Sequence, residues 1–217
     1  MKKPLSPKAV ADLVPDGARV MIGGFMGVGT PNKIIDALVV AGKKDLTLIA
    51  NDTALPGRGI GKLVSAGALR RAVVSHIGLN PETQRQMNAG ILEVELVPQG
   101  TLIECIRAGG VGLGAVVTPT GLGTVLEEGK QVLEIEGKKF LVEKPIRADF
   151  AFIAARQADY LGNLEYSLTA QNFNPTMAMA ADTVVAEPEH IVPVGAIPPD
   201  AVRTPASLVD HLIERST

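Results

Sequence analysis

Short apolar runs alternate along this chain with segments of helical spacing. Ala18–Gly24 (ARVMIGG), Asp45–Ala50 (DLTLIA), Arg70–Ile77 (RRAVVSHI) and Ile91–Val97 (ILEVELV) have the length and content of buried strands. Between the first two, Pro31–Gly42 (PNKIIDALVVAG) puts Ile34, Ile35, Leu38 and Val39 on one helical face. Thr30 is the expected N-cap, Pro31 the first helical residue and Gly42 the stop. Pro81–Asn88 fits a further short helix. In TLIECIRAG, Thr101 and Glu104 stand at the spacing of a capping box, so a helix is expected from Thr101. Strand and helix alternating through short connections predict an α/β fold, an open and mostly parallel sheet with helices on both faces.

The second half changes pattern. QVLEIEGKKFLVE reads as a β-hairpin turning at Glu136-Gly137, and ADFAFIAARQADYLGNLEYS as a strand followed by a turn at Gly162-Asn163. NPTMAMAA reads as helical, DTVVAE as a strand and PASLVDHLIER as a closing helix. The proline-rich EPEHIVPVGAIPPD reads as an ordered surface connection. No linker or repeat interrupts the pattern, so residues 1–217 are expected to form a single domain.

Composition narrows the classes. The net charge of -2 gives no basic field for nucleic acid, and the absence of Trp with only two Tyr leaves little for base stacking. One cysteine, Cys105, excludes an internal disulfide and fits a reducing compartment. The two lysines near the start are followed by no apolar signal region, and no apolar run approaches the roughly 20 residues of a membrane span. A soluble cytoplasmic protein, with neither membrane nor nucleic acid as partner, is expected.

The chemistry concentrates where the first strand meets the first predicted helix. Met21–Pro31 reads MIGGFMGVGTP, four glycines in eleven residues. In an open parallel sheet, ligands bind beyond the carboxyl ends of the strands, and glycine lets backbone N–H groups approach them. The segment is either a bare strand-to-helix turn or a cradle for a phosphate, a carboxylate or a developing oxyanion. It misses the dinucleotide fingerprint, because Asn32 stands where the third glycine belongs, although Asp52 lies where a ribose-binding acid would. It misses the P-loop too, since Thr30-Pro31 replaces Lys-Ser/Thr.

Other rim positions carry two readings each. Gln99, after the fourth strand, is either a solvated turn residue or a neutral donor suited to an oxyanion hole. Asn51 either orients a ligand or closes a local turn. The glycine-rich Ala108–Gly123 is an adaptable loop or a close-packed connection, and His76 ends a strand on the rim. Cys105 falls in an apolar stripe with Leu102, Ile103 and Ile106, which suits a buried inert thiol better than a nucleophile. Three histidines and one cysteine make no metal-spaced cluster, so no metal site is expected. The rim is equipped to receive a polarised oxygen, yet it brings no convincing nucleophile: the pattern of half a shared active site.

Several long motifs resemble family I coenzyme A transferases, first subunit. These are DGARVMIGGFMGVGTP (Asp16–Pro31), LIANDTA, ELVPQGTLIECIRAGG (Glu95–Gly110), TPTGLGTVLEEGK and AQNFNP (Ala170–Pro175). The resemblance, nearest the alpha subunits of acetate/acetoacetate type, covers essentially the whole chain. It implies transfer of CoA between acyl-CoA and a free carboxylate, in ping-pong steps through a glutamyl-CoA thioester. It implies that the glutamate lies in a Ser-Glu-Asn-Gly type motif of a partner beta subunit. No Glu here is followed by Asn, so a heteromer, inactive as this chain alone, is the expectation. The resemblance further implies that Gly24, Phe25, Met26, Gly27, Val28, Gly29 and Thr30 line the CoA or acyl pocket, that Asn51 borders it and that Gln99 serves the oxyanion hole. CoA or acyl-CoA would be a substrate, with no permanently bound cofactor. A nucleotide- or sugar-phosphate-binding enzyme and a non-catalytic acyl-CoA-binding chain are the competing expectations. The acyl chain, the acceptor and the stoichiometry are not encoded legibly.

Overall fold

A computed structural model describes residues 1–213. Helix α1 (Pro7–Leu13) precedes strand β1 (Arg19–Ile22), followed by α2 (Asn32–Val40), β2 (Leu46–Asp52), α3 (Gly61–Ser65), β3 (Leu69–His76), α4 (Pro81–Asn88), β4 (Glu93–Leu96) and α5 (Gln99–Val111). Strands β5 (Val116–Thr118), β6 (Val132–Ile135) and β7 (Lys138–Glu143) form a small antiparallel sheet. The chain then returns through β8 (Ala148–Asp159), β9 (Leu164–Glu165), α6 (Asn174–Met177), β10 (Ala181–Val192) and β11 (His211–Leu212).

The large sheet has the order β11-β10-β8-β1-β2-β3-β4, with neighbours in this path parallel and β9 antiparallel against the end of β8. Alternation along each strand divides the core into two layers. Leu46, Leu48 and Ala50 of β2 pack with Val10, Ile34, Leu38 and Leu63 of α1–α3. Ile49 faces the other way, with Met21, toward Leu102 and Ile106 of α5 and Met177 of α6. Helices therefore cover both faces, as the alternating pattern predicts.

The order reverses beside β1. From β1 the chain steps through β2, β3 and β4 in one direction, whereas β8 and β10 build outward on the other side. Such a switch point leaves a crevice at the carboxyl edge. The glycine-rich segment, residues 23–31, lies there.

The hairpin turns at Glu136-Gly137, both with positive φ (52° and 75°), matching the twist of β6 and β7. Four local expectations are corrected. Thr30 does not cap α2: Pro31 holds the N-cap position without a side-chain bond, and the capping carboxylate comes from Glu187 on β10. The Thr101/Glu104 box is not formed either. Helix α5 begins two residues earlier, behind Pro98, and Glu104 instead pairs with Arg107. The closing helix is replaced by a 3₁₀ turn at Ala206–Leu208 and the short β11, whose pairing to β10 satisfies the backbone; its last residues, from 214 on, lie outside the described residues. The first part of the proline-rich connection, through Val192, belongs to β10. No described helix is long and apolar enough to cross a membrane.

Candidate active site

Every fixed point of the glycine segment is a main-chain atom. Gly23 N–H donates to the Phe152 carbonyl of β8 (2.9 Å), continuing the sheet. Phe25 and Val28 exchange backbone hydrogen bonds at 3.0 and 2.9 Å, folding the segment back on itself. Met26, at φ 51°, donates its N–H to Asp52 Oδ2 (2.9 Å). From the β8 side, Asn172 Oδ1 accepts from Gly24 N–H (3.1 Å) while its Nδ2 donates to the Val28 carbonyl (3.1 Å). Asn174 Nδ2 donates to the Gly29 carbonyl (3.0 Å), and its Oδ1 accepts from Ala154 N–H of β8 (3.0 Å). Gly29 lies so close to the Ala170 carbonyl that a Cβ would overlap it.

This bonding divides the N–H groups in two. Those of residues 23 to 26 and 28 are spent inside the protein. Those of Gly27, Gly29 and Thr30 have no protein acceptor among the described residues. The bare amides thus belong to the second half of the segment, not to Gly24, Phe25 and Met26. The side chains of Phe25, Met26 and Val28 stand 43%, 44% and 50% exposed around them.

The N-terminus of α2 is not free for an anion. Glu187 accepts the N–H groups of Lys33 (3.1 Å) and Ile34 (3.0 Å) with its two carboxylate oxygens. Burial raises its pKa above the ordinary carboxylate value, and those two hydrogen bonds offset only part of the rise. Asp52 is equally committed: Oδ2 holds Met26, and Oδ1 accepts from Ala54 N–H at 2.7 Å. Asp52 is buried, 5% exposed, and both its oxygens serve the protein's own backbone, an arrangement that holds the segment together and weakens the dinucleotide reading.

Gln99 lies on the same rim. As the first residue of α5, it reaches back across β3 and donates Nε2–H to Asn51 Oδ1 (2.9 Å). Asn51 is 2% exposed, and the single hydroxyl hydrogen of Ser75 lies between its carbonyl (2.7 Å) and its Oδ1 (3.0 Å). One amide hydrogen of Gln99 is thereby fixed and its second remains available.

Two cavities flank the glycine segment. One, about 390 Å³, is walled by Gly27–Thr30, Lys33, Arg156 and Glu187. The other, about 450 Å³, lies between Met26–Val28 and Arg58 and Lys62. Lys33, Arg156 and Arg58 enter no ion pair among the described residues; the first wall sets Lys33 and Arg156 beside Glu187 and Glu189, and the second carries Arg58 and Lys62. Cys105 is buried in α5, its pKa pushed up to about 11 chiefly by burial and next by the Glu143 charge. It is therefore a neutral thiol near pH 7. His76 accepts Gly78 N–H at Nδ1 (3.2 Å) within its own loop.

A coenzyme A transferase model matches residues 6–215. The chain belongs to that family. It is 55% identical over 198 residues to an acetate CoA-transferase subunit alpha of Escherichia coli K12, covering 91% of this chain and 90% of the relative. It is 48% identical over 199 residues to an acetoacetyl-CoA:acetate/butyrate CoA transferase alpha subunit of Clostridium acetobutylicum, covering 92% and 91%. A solved acyl-CoA transferase of E. coli O157:H7, in a thioester complex with CoA, superposes with a TM-score of 0.87 at 23% identity. That match covers 98% of this chain and 48% of the solved one, so the transferase family chain spans about half of that polypeptide. At such identity the likeness speaks for the fold, which agrees with the α/β architecture above.

Sequence reasoning overlooked Asn172, Asn174 and Glu187 as parts of the frame around the glycine segment and α2. AQNFNP belongs to the family likeness, yet nothing local connects residue 172 with residue 24 or residue 187 with residue 33.

Proposed function

We propose that this chain is the alpha subunit of a short-chain acyl CoA-transferase, of the acetate, butyrate or acetoacetate type. It moves CoA between an acyl-CoA and a free carboxylate, with acyl-CoA as substrate and no permanently bound cofactor. The observation that carries the reading is 55% identity to an acetate CoA-transferase alpha subunit over nine-tenths of both chains. The partner is a beta subunit whose glutamate attacks the thioester carbonyl and later carries CoA as a thioester.

The geometry supports this division of labour. Attack on a thioester or anhydride carbonyl builds negative charge on oxygen, and preorganised neutral donors stabilise it. The rim offers such donors in the N–H groups of Gly27, Gly29 and Thr30 and the free amide hydrogen of Gln99. Asn51 acts at one remove, by holding Gln99. The two carboxylates packed against the segment, Asp52 and Glu187, each accept a backbone N–H at both oxygens, which binds them to the frame and weakens them as nucleophiles. Phe25, Met26 and Val28 supply apolar cover that keeps water from the thioester.

Mixing this chain with its separately purified beta subunit should create transferase activity that neither shows alone. After incubation with acyl-CoA, mass spectrometry should locate the thioester on a glutamate of the partner. An adduct on this chain, at the exposed Glu189 of the cavity wall for example, would overturn the assignment.

A further inference from the structure

Two of the three peptide units of the glycine segment that offer free N–H groups, those ending in Gly29 and Thr30, are gripped at their carbonyl ends. The Val28 carbonyl and the Gly29 N–H belong to one planar unit, as do the Gly29 carbonyl and the Thr30 N–H. In a trans peptide the two groups point in opposite directions. Asn172 Nδ2 holds the first carbonyl at 3.1 Å, alongside Phe25 N–H at 3.0 Å, and Asn174 Nδ2 holds the second at 3.0 Å. Each grip therefore turns the partner N–H to the opposite face of the segment. From the grip geometry we infer that Asn172 and Asn174 are positioning residues that aim the Gly29 and Thr30 amides at the reacting oxygen.

Three further observations fit an aiming device. Asn172 has φ 25° and ψ -122°, a sparsely populated conformation that persists only where the surroundings fix it. Its Oδ1 accepts from Gly24 N–H, Phe173 N–H (2.7 Å) and Asn174 Nδ2 (3.3 Å), so the amide plane has a single workable orientation. Asn174 is fully buried and bonded to Ala154 of β8, which ties the device to the sheet rather than to another loop. Apart from the bond between them, both asparagines bond to backbone among the described residues. They act through the amides, not on the substrate.

The catalytic part of this inference rests on the transferase reading; the geometric part does not. Asn172→Asp is the discriminating variant. It keeps the acceptor for Gly24 but sets an oxygen against the Val28 carbonyl. Asn172→Gly removes the grip while relaxing the strained backbone. In the assembled heteromer, both should lower kcat at least tenfold with KM for acyl-CoA within about threefold of wild type and the melting temperature within a few degrees. Backbone ¹⁵N relaxation on the full chain gives a second readout that needs no activity. Order parameters at Gly29 and Thr30, about 0.85 for rigid backbone, should drop below about 0.6 in both variants. Folded variants with unchanged kcat and equally rigid amides would overturn the inference. So would a loss of kcat that merely follows a fallen melting temperature. If wild-type heteromer transfers no CoA, the transferase reading fails, and the relaxation result still decides whether the asparagines hold the amides.

Discussion

Gln99 has two amide hydrogens to give, and Asn51 takes one of them. The other, together with the amides of Gly29 and Thr30, is the chain's proposed contribution to a developing oxyanion. Removing one such donor typically costs about 10²–10³ in rate. Gln99→Ala in the assembled enzyme is accordingly expected to lower turnover at least tenfold with folding intact, because the side chain is exposed and, among the described residues, bonded only to Asn51. A near-normal rate in steady-state assays would remove it from the role. Asp159 makes a different prediction. Burial would raise its pKa, but bonds from the Asn163 side chain and from the N–H groups of Asn163, Gly162 and Leu161 prevail and lower it. A depressed acid stabilises the fold above its unfolded value of about 3.9, and that contribution disappears as pH falls through the lower folded value. Urea unfolding should therefore show wild type more stable than Asp159→Asn at pH 7, with the gap narrowing toward pH 3. A gap that widened on acidification would reverse the sign of this account.

At the scale of elements, the sequence is most legible where burial is regular. The apolar runs of β1, β2 and β3 and the stripe of α2 report their positions directly, and the hairpin turn carries its own signal in Glu136-Gly137. Helices α1 and α3, seven and five residues long, are too short to establish a period. The cap of α2 was unreadable for another reason. Its carboxylate lies 154 residues from Lys33 in sequence, and a nearer threonine fits the local rule. Helix α5 illustrates the contest between local and tertiary preference. Gly109 sits inside it, where alanine would gain roughly 0.5–1 kcal/mol in propensity. A Cβ there would overlap the Ile146 carbonyl, and Arg147 already donates to the Gly109 carbonyl at 3.0 Å. Backbone cannot yield as a side-chain end can, so Gly109→Ala should destabilise the chain by about 1–3 kcal/mol in urea titration. Unchanged or improved stability would mean that the connection into β8 yields more easily than its packing indicates.

At the scale of the whole molecule, the architecture and the family likeness could be read before any coordinates, and both hold. The site was legible only in part. That the glycine segment, Asn51 and Gln99 lie on the carboxyl edge follows from the alternation of strands and helices. Which amides remain free does not. That depends on Asp52, Asn172 and Asn174, which arrive from β2 and from the segment after β9, and such pairings are set by topology rather than by spacing. The same topology agrees with the proposal that a partner completes the site: the free amides lie on one rim of a complete sheet, and Phe25, Met26 and Val28 around them are left half-exposed.

One consequence follows from the glycine segment being held entirely by its main chain. A hydrogen-bonding surface built of peptide groups has no side chain to lose. Replacing Phe25, Met26 or Val28 leaves each tether chemically intact, since every tether to those residues ends on a backbone nitrogen or oxygen. In the proposed transferase, preference for one carboxylic acid over another would thus be free to drift at these three positions, while the peptide groups proposed to meet the charge stay the same.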